Sequence, residues 1–128
     1  MFHQDYIMRQ IEMLTEAIAS YIFNKETAIH YEIRDEIRQV ETDILYLQLR
    51  NLLNDNKINE AENLLFEMID PLEANHFIIA VDFYEKVNKL SDVELKEYDF
   101  SKDEIIDGLN RINKLFITCT NNNHLAEN

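Results

Sequence analysis

Large apolar side chains recur every three or four residues along nearly the whole chain, the period of a helix with one covered face. Ile7, Ile11, Leu14, Ile18 and Ile22 are separated by steps of four, three, four and four. Met8, Ala17 and Tyr21 widen that stripe, and Arg9, Glu12 and Glu16 lie opposite it. The spacing predicts a helix over 3–23, broken at Asn24-Lys25-Glu26, where the apolar phase resets. Ile29, Ile33, Ile37, Val40, Ile44 and Leu47 continue at helical steps, and from Ile33 onward they trace a short heptad seam. Residues 27–40 read as a separate helix, as the first half of one long helix, or as a partly ordered connector. Glu32, Asp35, Glu36 and Glu41 make the segment polar enough for any of the three.

Thr42 followed by Asp43 has the form of an N-cap and a first-turn acid, so a fresh helix is expected there. Through Ile44, Leu45, Leu49, Leu52 and Leu53 it should end near Asn54. Asn54-Asp55-Asn56-Lys57 is a polar turn, and Asn tolerates the left-handed conformation that a helix end needs. Asn59 and Glu62 have the spacing of a reciprocal cap for a helix burying Ala61, Leu64, Leu65, Met68 and Ile69. In Asp70-Pro71-Leu72-Glu73, Asp70 reads as N-cap with Pro71 at the first helical position. The helix after it carries Phe77, Ile78, Ile79, Ala80, Val81, Phe83, Tyr84, Val87 and Leu90, apolar on more than one face, and is expected to be the central one. Ser91 with Glu94 and Ser101 with Glu104 are capping boxes. The first opens a short turn ending near Tyr98, and the second a last helix burying Ile105, Leu109, Ile112 and Phe116. Gly108 inside that helix costs about 1 kcal/mol relative to Ala, and a close helix crossing is one reason to keep it.

These elements imply an all-α fold: antiparallel helix hairpins in an array, preceded by an amphipathic helix. One domain spans 1–117, made of an N-terminal segment 1–41 and an array 42–117, and 118–128 reads as a disordered tail. Composition agrees. One Gly and one Pro in 128 residues leave few tight turns for a many-stranded sheet. The net charge of −13 repels phosphate backbones and anionic headgroups, so neither nucleic acid nor membrane is expected as a direct partner. A basic protein partner is compatible with it, and so is plain solubility. Cys119 is the only cysteine, so no intrachain disulfide forms. With no run of about 18 apolar residues and no basic, apolar leader at the N-terminus, the expected location is the cytoplasm.

Residues 45–73 resemble the tetratricopeptide repeat. Ala61 falls on the small residue where the second helix crosses the first, and Leu45, Leu49 and Leu52 fall on core positions of the first helix. Ile58, Leu65 and Met68 take later core positions, whereas Asn56 stands where Gly is usual and Leu49 where a small residue is usual. The whole chain is similar to a family of small acidic bacterial proteins with no assigned function. That resemblance rests on Met1-Phe2-His3-Gln4-Asp5-Tyr6-Ile7-Met8-Arg9, on the Lys57–Glu67 run, and on the Ala80–Asn88 run. It implies a bacterial cytosolic origin and a tetratricopeptide-like array, and it carries over no catalytic or binding residue.

Candidate chemistry is sparse. Glu73 and His76 have the Glu-x-x-His spacing of a carboxylate–histidine ligand pair in di-iron bundles, but such a site needs two pairs and two further glutamates. Glu26 and His30 form a second pair at the wrong spacing. The plainer reading makes Glu73 a capping residue and His76 a surface side chain. Cys119 with His124 or His76 as base lacks any motif and reads as an inert thiol. Tyr6, Tyr21, Tyr31, Tyr46, Tyr84, Tyr98, Phe2, Phe77 and Phe83 could line a pocket, though aromatics at helical spacing are more often core. The Asp55–Phe66 stretch fails as a calcium loop, with Lys57 at a ligand position and Phe66 in place of the bidentate Glu. No cofactor is called for, and no residue can be named as catalytic.

The favoured reading is therefore a non-catalytic protein-interaction module with an unidentified protein partner. The alternative is a small metal- or ligand-binding helical bundle, with enzymatic activity within that class. The first forty residues lack an evident internal partner. Either they fold back on the array, or Ile7, Ile11, Leu14, Ile18 and Ile22 pair with a second copy in a symmetric dimer, the arrangement the stripe favours.

Overall fold

The computed structural model describes the backbone of residues 5–16 and 33–126, and the side chains of 5–16 and 40–116. Helices occupy 5–16 (α1), Ile33–Asn54 (α2), Ile58–Met68 (α3), Ala74–Asn88 (α4), Asp92–Glu97 (α5) and Lys102–Ala126 (α6), and no strand occurs among the described residues. The all-α expectation holds.

The helix ends show where local chemistry decided the fold and where it did not. α2 runs unbroken through Thr42, which is buried in its wall (5 % exposed) and opens no new helix. Thr42 lies three and seven residues before Leu45 and Leu49, both buried, so it shares their covered face. With no Gly or Pro in 33–54, nothing stops propagation through it. From Ile33 onward the uncertain connector is thus the first half of a long helix. α2 closes at Asn56, whose φ of 61° is left-handed. The Lys57 N–H donates to the Leu52 carbonyl and the Asn56 N–H to that of Leu53, each at 2.9 Å. α5 closes the same way, with Asp99 at φ 58° and Phe100 reaching back to Leu95. Asn and Asp do here what Gly usually does, which leaves the only Gly for another task.

Four further cap expectations fare differently. The Ser91–Glu94 box is complete. At Ser101 the Glu104 N–H donates to Oγ at 3.3 Å, opening α6. The Asn59–Glu62 box does not form. α3 starts at Ile58 with Lys57 as N-cap, Asn59 donates to the carbonyls of Asp99 (3.1 Å) and Tyr98 (3.4 Å), and Glu62 turns to Tyr84. A distant partner has outcompeted the local one for each side chain. Asp70 likewise is no N-cap. Glu73 N–H donates to the Asp70 carbonyl and Leu72 N–H to Asp70 Oδ1, so Asp70–Glu73 is a β-turn with Pro71 in its second position. α4 begins after it, with Glu73 as N-cap. At the other end, α6 continues through Ala126. No Gly or Pro follows Gly108, so a helix anchored by Phe116 keeps adding hydrogen bonds.

The core joins all six helices. α3 folds back along α2. Leu45 and Leu49 from α2 and Ile58, Ala61 and Leu65 from α3 are buried, while Met68 of that helix is exposed. α4 supplies most to the core, as its unbroken apolar run predicts: Phe77, Ile79, Ala80, Val81, Phe83, Tyr84 and Val87. α6 lies antiparallel on α4 with Ile105, Leu109, Ile112 and Phe116 inward. Three pairs fix its register. Lys102 Nζ donates to the Asn88 carbonyl and side chain (2.8 Å each) and to the Leu90 carbonyl (3.0 Å), capping the end of α4. Gly108 sits beneath the Tyr84 ring. Phe77 and Phe116 stack with centroids 4.3 Å apart. α4 is tied to α2 by Lys86, whose ammonium donates to the Tyr46 hydroxyl (2.8 Å) and pairs with Asp82 (3.0 Å).

Candidate functional site

Two stripes of α2 compete for the core, and only one enters it. Thr42, Leu45 and Leu49 face inward, whereas the heptad positions Val40, Ile44 and Leu47 are exposed. Met68, at the end of α3, and Leu72, in the turn before α4, are also exposed. Between them lies an open groove of about 490 Å³ lined by Glu41, Ile44, Leu45, Gln48, Met68, Asp70, Glu73 and His76. α2 supplies one wall through residues three or four apart, and the Met68–His76 segment supplies the other. Because α3 runs antiparallel to α2, its C-terminal Met68 comes opposite Ile44, and the β-turn then carries Asp70 and Glu73 to the same rim.

His76 is oriented by that turn. The Asp70 N–H donates to His76 Nδ1 at 2.9 Å, so Nδ1 is an acceptor already in use and the ring proton belongs on Nε2. Glu73 makes no side-chain capping bond. The sequence pair Glu73 and His76 thus does meet in one groove, with Asp70 and Glu41. Even so, no three His, Cys, Asp or Glu side chains among the described residues converge as metal ligands. Glu26 and His30 lie outside the described residues, as do the side chains of Cys119 and His124.

A second polar cluster lies where α3, α4 and α6 meet. The Tyr84 hydroxyl donates to Glu62 Oε2 at 2.6 Å. Burial raises the Glu62 carboxyl above its ordinary range against the lowering effect of the Tyr84 bond, and the nearby Glu104 and Asp107 add to the rise while Arg111 opposes it. Burial, then the Glu62 bond, raises the Tyr84 phenol strongly, so it stays protonated and serves as a donor. The Arg111 guanidinium lies 3.7 Å from the centroid of the Phe66 ring. With the α6 backbone at Gly108 pressed against the Tyr84 ring, this cluster is a structural bond between α3 and α4 with α6 closing over it.

Of the aromatic side chains considered for a pocket, Phe77, Phe83 and Tyr84 are core, Tyr46 and Tyr98 are half-buried and Tyr6 is exposed. Ile7, Ile11 and Leu14, considered for self-association, are packed into the chain's own core, and Asn88 Nδ2 lies 3.8 Å from the Met8 sulfur where α1 meets the end of α4. These three side chains offer no free surface to a second copy. Ile18 and Ile22 lie outside the described residues. The groove itself escaped the sequence reading. Its one legible trace was the Val40–Leu47 seam, which the period identifies as a face without saying whether that face is covered.

The chain belongs to a family of unknown function, DUF6483, which matches residues 1–117. Comparison with curated proteins and with solved structures finds no match. No helix among the described residues is long and apolar enough to cross a membrane.

Proposed function

We propose that this chain is a non-catalytic protein-interaction module. The observation that carries the reading is the row of large apolar side chains left exposed on α2, Val40, Ile44 and Leu47, continued across the groove by Met68. Single exposed apolar residues are ordinary, but several on one face beside a groove mark a contact surface. The α2–α3 hairpin supports the reading by its resemblance to the tetratricopeptide repeat, in which stacked hairpins hold peptides or partner helices on one face.

Affinity capture from source cells with the wild-type chain and with Ile44→Asp tests it. Proteins retained by the first and lost by the second are the expected result. Identical sets from both, or none from either, would overturn it. A bound metal by elemental analysis, or a specific ligand in a thermal-shift screen, would instead favour a metal- or ligand-binding bundle.

A further inference from the structure

We infer that the groove between α2 and the Met68–His76 segment docks a basic amphipathic segment of a partner protein, one that inserts large apolar side chains between Ile44 and Met68 and sets Lys or Arg against the acidic rim. The inference rests on the interaction reading and names its site and partner class. Three observations meet here. Ile44 (51 % exposed) and Met68 (52 % exposed) stand on the two walls of one groove, so an inserted side chain would cover both. The groove, about 490 Å³, has room for a few side chains of a docked segment. Among the described residues lining it, three are carboxylates, Glu41, Asp70 and Glu73, and none is Lys or Arg.

The charge chooses the occupant. A second copy of a chain with net charge −13 would bring acid against acid, and a nucleic acid or anionic lipid surface fares no better. A small anionic ligand would need converging donors, and the lining offers chiefly acceptors, with the Asp70 N–H already given to His76. A cationic helix with an apolar stripe satisfies both features, since its stripe takes the floor and its flanking cations take the rim.

The test is fluorescence anisotropy with the full chain and a labelled helical peptide of about 16 residues built only from Leu and Lys. A Leu/Glu peptide of the same pattern is the control. Four chains are compared: wild type, Ile44→Asp, Met68→Asp and Val93→Asp, the last on α5 away from the groove and 70 % exposed. Circular dichroism confirms that each is folded. Each Asp adds one negative charge, so attraction to overall charge alone would leave all three binding the Lys peptide at least as well as wild type. Docking in the groove instead predicts that Ile44→Asp and Met68→Asp lose roughly tenfold in affinity while Val93→Asp does not. Equal binding by all four chains would overturn the proposal, and so would equal affinity for the Leu/Glu peptide. Sedimentation velocity separates this failure from failure of the broader reading. A dimer that Ile44→Asp dissociates would give the groove to a second copy, overturning the basic partner while leaving an interaction module.

Discussion

At Gly108 helix propensity and packing pull in opposite directions. Replacing a glycine inside an exposed helix by Ala adds about 1 kcal/mol of stability. Gly108 is buried, and a Cβ built there falls on the Tyr84 ring and hydroxyl. The ring cannot retreat easily, because its hydroxyl is held by Glu62 and its flank packs edge-on against Phe83. Gly108→Ala should therefore destabilise, by about 1–3 kcal/mol in urea denaturation, and a stabilised variant would show that the crossing is loose. Glu62 supplies a second prediction. Its carboxyl is raised by burial, so the folded state disfavours its charged form. A raised carboxyl gives stability that is complete below its unfolded value, near 4.5, and lost as pH rises through the higher folded value. Glu62→Gln keeps an acceptor for Tyr84 and removes the titration. The stability of Glu62→Gln minus that of wild type should grow as pH rises from about 4 to 7; a flat difference would place Glu62 in ordinary solvent.

At the scale of elements, α2 offers the sharpest contrast between neighbours. Leu45 is buried and Ile44 beside it is half exposed. Leu45→Ala should cost about 2–5 kcal/mol, whereas Ile44→Asp should leave the denaturation midpoint nearly unchanged. Similar losses from both would mean that the α2 face is covered. α2 also shows how far the sequence was legible. Its period disclosed which residues share a stripe, but Val40-Ile44-Leu47 and Leu45-Leu49-Leu52 are both apolar, and only a neighbouring helix decides which is covered. Short polar signals behaved alike. Ser91 and Glu94 are legible because each bonds the other's backbone N–H within one turn. Asn59 leaves its local cap because the Asp99 carbonyl, 40 residues away, takes its amide. The acidic rim had no sequence signature, since Glu41 and Asp70 meet only when α3 folds back on α2. The inward face of the last helix was read in full, its four core residues lying on a single unambiguous stripe.

For the whole molecule, the placement of α1 determines what happens when its stripe is broken. Ile11 is buried with Ile7 and Leu14 in the shared core. Ile11→Asp would leave a charge there without a partner, a change that removes several kcal/mol of stability. Loss of cooperative unfolding and of near-ultraviolet circular dichroism is the expected outcome. A variant that stays folded but changes mass in light scattering would return this helix to an intermolecular role. Ala61, fully buried in α3, gives a companion test of close packing: Ala61→Leu should cost about 1–3 kcal/mol, and a neutral result would mean that α3 packs loosely at this position.

The three pairs that register α6 on α4 also set an order of events. They span sequence separations of 14 (88 to 102), 24 (84 to 108) and 39 (77 to 116). Closing a loop grows dearer with length, by about 0.6 kcal/mol per doubling. The Lys102 clasp, nearest the α5 turn, closes the shortest loop, and the Phe77–Phe116 stack the longest. The hairpin should zip from the clasp toward the stack, so the folding transition state should hold the first formed and the second still open. Stopped-flow kinetics would then show Lys102→Met slowing folding and Phe116→Leu chiefly hastening unfolding.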